Sequence, residues 1–128
     1  GPPAIFVMPA DKAVDVPTHG DLTYDGAGQA RSVQGGFPIT LTGALGYEAL
    51  TGADAQLFSD NGNAVPCIVW TPSTADAPGW FTGMNSLAML PKQPLRPGMR
   101  YRAVFTWESP TGERSRREIT FTTGRTQK

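Results

Sequence analysis

The chain has 128 residues, with 15 Gly, 12 Pro and a single Cys, and its 11 Lys plus Arg balance 11 Asp plus Glu. That length holds one domain with a modest core, and the even charge gives no general attraction for nucleic acid or an anionic membrane surface. Gly and Pro recur so often that no interval between two of them exceeds the 11 residues of 99–109 or 113–123, which excludes helical bundles and Rossmann-type folds.

Gly1-Pro2 looks like the scar of a cleaved expression tag, so residues 1–3 are expected to stand outside the domain. Residues 4–8 form an apolar run closed by Pro9 and predict a first strand. Residues 11–17 then cross to a new level, and 21–24 predict a weak second strand. The stretch 25–36 is rich in Gly, Ala and Gln and reads as a loop. Over 38–42, Ile39 and Leu41 alternate with Thr40 and Thr42, the pattern of a half-buried strand. Residues 53–59 and 64–71 flank Asp60-Asn61-Gly62-Asn63, where Asn-Gly favours the positive φ angles of a tight hairpin turn.

A long loop over 72–83 carries Trp80 and Phe81. Residues 86–90 predict a short strand ended by Pro91, and 92–99 a turn-rich connection with Pro94, Pro97 and Gly98. Over 100–107, Tyr101, Ala103, Phe105 and Trp107 share one face, with Arg100, Arg102, Val104 and Thr106 on the other. After a turn at 109–112, Ile119, Phe121 and Thr123 alternate against Glu118, Thr120 and Thr122. Seven to eight short strands with a polar exterior and an aromatic interior predict an all-β, two-sheet antiparallel sandwich over 4–124, with 125–128 as a C-terminal tail. Ile39, Leu41, Val65, Cys67, Val69, Tyr101, Ala103, Phe105, Ile119 and Phe121 are expected to face its interior.

The landmarks Pro9-Ala10-Asp11, Val14-Asp15-Val16-Pro17, the 36–41 run Gly-Phe-Pro-Ile-Thr-Leu and the 60–66 turn resemble those of bacterial immunoglobulin-like domains. So do Leu90-Pro91, Pro94-Leu95, Pro97-Gly98 and Tyr101, which match an L-P-x-x-P-L-x-P-G-x-x-Y stretch, and the closing strand 119–124. Such domains, related to the fibronectin type III-like modules of surface-layer proteins, occur in exported bacterial proteins. The combination is similar to the domain that follows the CAP-type (cysteine-rich secretory protein-like) module in some of them. The resemblance implies an immunoglobulin-like fold and an extracytoplasmic setting, secreted or at the cell surface. Tyr101 is expected to bury its ring and send its hydroxyl to a backbone carbonyl, as in a tyrosine corner.

Catalytic chemistry finds little footing. His19 is the one candidate base, no Gly-x-Ser-x-Gly elbow surrounds any serine, and His19 lies in a turn as a solvated side chain. The run Gly26-Ala27-Gly28 lacks the rest of a dinucleotide fingerprint. Cys67 cannot make an internal disulfide; with His19 in a distant segment no structural transition metal is expected, and Cys67 is read as an inert buried thiol. Asp60 to Asn63 read as a turn rather than a calcium loop, and Asp11, Asp15, Asp21 and Asp25 as solvated turn residues. Residues 1–91 hold 2 basic and 8 acidic groups and residues 92–128 hold 9 and 3, so opposite charges are expected to offset across the sheet surface.

The expectation is therefore a non-enzymatic spacer or protein–protein interaction module, adhesive in some settings, without cofactor or metal. Its partners would be other domains of its parent protein or a surface protein, with neither nucleic acid binding nor membrane insertion. The alternative is a carbohydrate or cell-wall binding module in which Trp80 and Phe81 stack on a cell-wall glycan.

Overall fold

The computed structural model describes residues 5–26, 29–43, 50–71, 86–108 and 112–125. Among the described residues eleven strands follow in chain order: β1 (Ile5–Met8), β2 (Ala13–Val16), β3 (Gly20–Gly26), β4 (Gln29–Gly35), β5 (Ile39–Gly43), β6 (Thr51–Ser59), β7 (Ala64–Val65), β8 (Cys67–Trp70), β9 (Ser86–Pro91), β10 (Arg100–Glu108) and β11 (Arg114–Thr123). One sheet has the order β1-β5-β9-β8, the second β2-β11-β10-β6-β7, and β3 pairs with β4 alone. The two larger sheets enclose the core of an immunoglobulin-like sandwich.

Period-two patterning accounts for the central strands. On β10, Tyr101, Ala103, Phe105 and Trp107 are buried, and on β11 Ile119 and Phe121 lie on the same inner face. Ile39, Leu41, Leu57, Leu87 and Met89 close the interior from other strands, and Val65, Cys67 and Val69 pack against it while half-buried. All ten residues assigned to a common interior from the sequence lie there. A smaller cluster of Trp70, Ala88 and Leu90 has Ile68 packed against it; in register, Trp70 stands opposite Ala88, Ala88 opposite Thr40, and Thr40 opposite Met8.

Three expectations need correction. Most of 25–36 is not a loop: residues 29–35 form β4, paired antiparallel with β3 from Gly20↔Gly35 to Gly26↔Gln29. Its pairing is made by backbone groups that side-chain alternation does not advertise. Residues 64–71 are not one strand, because Pro66, which has no N–H for a ladder, stands between β7 on β6 and β8 on β9. The crossing at 11–17 contains β2, which runs parallel to β11, with a register shift between Phe121 and Thr123; Lys12 and Asp15 adopt left-handed φ angles of 67° and 55° there. These short pieces raise the strand number above the seven or eight expected.

The ion pairs on the sheet surface differ from the expected offset between the acidic and basic parts of the chain, because they join residues of the C-terminal hairpin to one another. Glu118 meets Arg102 at 2.8 Å and Arg116 at 3.1 Å, and Glu108 meets Arg114 at 3.1 Å. The hydrogen bond from Arg102, with Arg116 beside it, holds the Glu118 carboxyl below the usual carboxylate range.

Candidate functional site

The N-terminal segment carries two chemically distinct exposed donors, Met8 on β1 and His19 just ahead of β3. Strand β1 turns Ile5 and Val7 onto the core and Phe6 and Met8 outward, with Met8 61% exposed. Met8 stands opposite Thr40 near the start of β5. His19 precedes β3, and its neighbour Gly20 lies so close to the segment ahead of β5 that a Cβ there would meet Pro38 Cδ at 2.5 Å. Met8 is thus paired with Thr40, and Gly20, next to His19, approaches Pro38 two residues earlier. The thioether of Met8 is a soft ligand, and imidazole is a borderline one suited to copper and zinc.

Local contacts hold His19 in place. Thr18, 1% exposed, accepts the Leu95 N–H on its carbonyl at 2.9 Å. Its hydroxyl lies 2.8 Å from His19 Nδ1, which leaves the other ring nitrogen of this exposed side chain as the one available for a ligand. The placement agrees with a solvated turn histidine.

Several other candidate donors are engaged or enclosed. Cys67 is half-buried and its thiol donates to the Val65 carbonyl at 3.4 Å. Burial pushes that thiol up to about 12, against a smaller opposing effect of Lys92, so it is protonated and poorly nucleophilic at neutral pH. Asp11 accepts the Thr120 N–H at 2.9 Å and so ties the approach to β2 onto β11. Met89 is fully buried and Met99 half-buried. Among the described residues no three His, Cys, Asp or Glu side chains come together.

A second feature is a cleft of about 350 Å³ between the β6–β7 turn and the 93–99 connection, with Asn61, Val65, Gln93, Met99 and Tyr101 among its walls. Tyr101 buries its ring, as expected, stacked on Phe121 at 5.6 Å. Its hydroxyl differs from the expectation: it accepts the Arg96 N–H at 2.8 Å rather than donating to a carbonyl. The Thr123 hydroxyl continues the clasp, donating to the Arg96 carbonyl at 2.5 Å and accepting the Met99 N–H at 3.0 Å.

Trp80 and Phe81, the expected ligand-stacking pair, lie outside the described residues, as does Met84. Among the described residues the exposed large apolar side chains are Phe6, Met8 and Val14, while Trp70 and Trp107 are buried. Met8 was legible in the sequence only as part of an apolar strand. The outward phase of the alternation, which makes its thioether accessible, was the signal that could have singled it out.

No protein-family model matches the chain, and no curated protein sequence matches it. Solved structures do. The copper resistance protein PcoC from Escherichia coli, in its selenomethionine form, aligns at 22% identity over 91% of this chain and 94% of its own, with a TM-score of 0.54. A second PcoC structure, described as a methionine-rich copper resistance protein, aligns at 19% identity over 96% and 99%, with a TM-score of 0.57. CopC from Methylosinus trichosporium OB3b aligns at 14% identity over 95% and 93%, with a TM-score of 0.55.

At this level of identity the likeness establishes the fold. It also corrects the functional expectation, because the proteins that share this architecture nearly end to end include ones described by copper resistance. Neither adhesion and protein–protein interaction as a spacer, nor glycan binding through Trp80 and Phe81, is the reading these neighbours favour. The chain differs from the methionine-rich neighbour in holding only 4 Met, of which Met8 is the exposed one among the described residues.

Proposed function

We propose that this domain handles copper as a cargo outside the cytoplasm, without catalysing a reaction, and that Met8 and His19 take the ion. The observation that carries the reading is the end-to-end structural likeness to copper resistance proteins, over more than 90% of both chains. The donor pair supports the reduced ion: a thioether and an imidazole suit Cu(I), which soft ligands select. Two exposed protein donors leave coordination positions open to an exchanging ligand, and that openness suits delivery better than storage. The extracytoplasmic setting rests on the strand landmarks shared with exported bacterial domains. The same landmarks support a parent protein in which this domain follows a CAP-type module.

The test is an anaerobic competition titration of Cu(I) against a chromophoric chelator. The wild-type domain is expected to withdraw copper from the chelator, and Met8→Leu and His19→Ala each to weaken that withdrawal at unchanged melting midpoint, since both side chains are exposed. A wild-type domain that withdraws no copper overturns the reading.

A further inference from the structure

We infer that Asn61 is a self-modification site held shut by its own hairpin, so that opening of the β6–β7 turn is recorded irreversibly in the covalent structure. Asn61-Gly62 is the pairing in which intramolecular deamidation meets least steric resistance. Gly62 has no side chain to block the approach, and nothing stands within 4 Å of where one would be. In the reaction the Gly62 nitrogen loses its proton to solvent base and attacks Asn61 Cγ. The new C–N bond closes a five-membered succinimide, and the side-chain nitrogen leaves as ammonia. Water then opens the ring at either carbonyl to give aspartate or isoaspartate. No oxidant or reductant is involved, and water is the sole co-reactant.

The folded turn opposes that attack by holding both reacting groups in place. The Gly62 N–H donates to the Ser59 carbonyl at 2.9 Å, which keeps the proton on the nucleophile and directs that bond across the turn. The Asn61 carboxamide is fixed through its oxygen, which accepts the Asn63 N–H at 3.1 Å and also the Ser59 hydroxyl. The Ser59 N–H in turn donates to the Asn63 carbonyl at 2.9 Å. Ser59 is thus a positioning residue at both ends of the reaction, through its carbonyl to the nucleophile and its hydroxyl to the electrophile.

The latch is slight. Strand β7 has two residues and pairs with β6 only at Leu57↔Val65 and Phe58↔Ala64, on the outer side of its sheet. Such short edge pairings open at low free energy compared with global unfolding. Once isoaspartate forms, an extra carbon enters the main chain of the turn and a carboxylate appears beside Asp60. The register that built the 350 Å³ cleft is then lost.

The experiment compares the folded chain, the chain unfolded in urea, Ser59→Ala and Ser59→Thr in mildly alkaline buffer. Peptide mapping reads Asn61 against aspartate and isoaspartate. The unfolded chain is expected to convert at least roughly tenfold faster than the folded one, as a turn protected by a local opening equilibrium requires. Ser59→Ala, with an unchanged melting midpoint, is expected to convert several-fold faster than wild type, and Ser59→Thr, which keeps the hydroxyl, to stay slow. Converted and refolded chain is expected to lose amide-exchange protection at Leu57 and Val65 while β10 and β11 keep theirs. Equal conversion in folded and unfolded chain, a Ser59→Ala rate equal to wild type, or an intact hairpin after conversion would each overturn the inference.

Discussion

Replacing Tyr101 by Phe separates the hydroxyl clasp from the ring that carries it. The ring is 3% exposed and stacked on Phe121, and Phe retains both features. What disappears is the acceptor for the Arg96 N–H at 2.8 Å. A hydrogen bond of this kind contributes about 1 kcal/mol net, and leaving its part-buried donor unpaired raises the loss to about 1–2 kcal/mol. For a domain of this size the melting midpoint should fall by about 3–8 °C. Phe121→Ala removes a ring that is 1% exposed and should cost about 3–5 kcal/mol through lost burial and the cavity left behind, a large part of a stability of about 5–15 kcal/mol. Urea titrations of the two variants at equal m-value give the comparison. A Tyr101→Phe loss as large as that of Phe121→Ala would refute the assignment of the core's strength to buried rings rather than to the clasp.

Other consequences are as direct. Folded protein should resist thiol reagents at neutral pH, because the Cys67 thiol is held up at about 12. An unfolded chain ionises that thiol at about 8.5, so its stabilising effect is complete below that pH and is lost as pH rises toward 12, a slope that Cys67→Ser should remove from the alkaline unfolding profile. Asp11→Ala deletes the acceptor of the Thr120 N–H at an exposed position and should cost about 0.5–1 kcal/mol, with amide exchange quickening at Thr120 before the rest of β11. Glu118→Gln should change the urea midpoint little, by about 0.5 kcal/mol or less, because exposed ion pairs are screened by solvent. Gly62→Ala meets no steric obstacle but must adopt a φ of +85°, and a stability lowered by about 1–2 kcal/mol in urea titration is expected from the left-handed conformation.

Much of the sandwich was legible because side-chain periodicity reports which face of a strand is buried. Tyr101 to Trp107 and Ile119 to Thr123 show this plainly, and the interior residues assigned from it pack as assigned. What escaped was structure held by backbone pairing. Strand β4 carries little apolar alternation, and β2 is anchored by Asp11 on Thr120 and by Lys12 N–H on the Thr120 carbonyl at 2.6 Å. Residues 64–71 read as one strand, whereas the missing N–H of Pro66 marks the place where the chain changes sheets. The candidate site was less legible still. Met8 and His19 are separated by a full crossing between sheets, and only the contact of Gly20 with Pro38 and the pairing of Met8 with Thr40 bring them to the same segment.

X-ray absorption at the copper edge, on domain loaded anaerobically with Cu(I), tests the central claim most directly. The account predicts a first shell containing sulfur and nitrogen, with the sulfur absent from Met8→Leu and the imidazole signature absent from His19→Ala. A shell unchanged in both variants, or no copper retained by the wild-type domain, would contradict it.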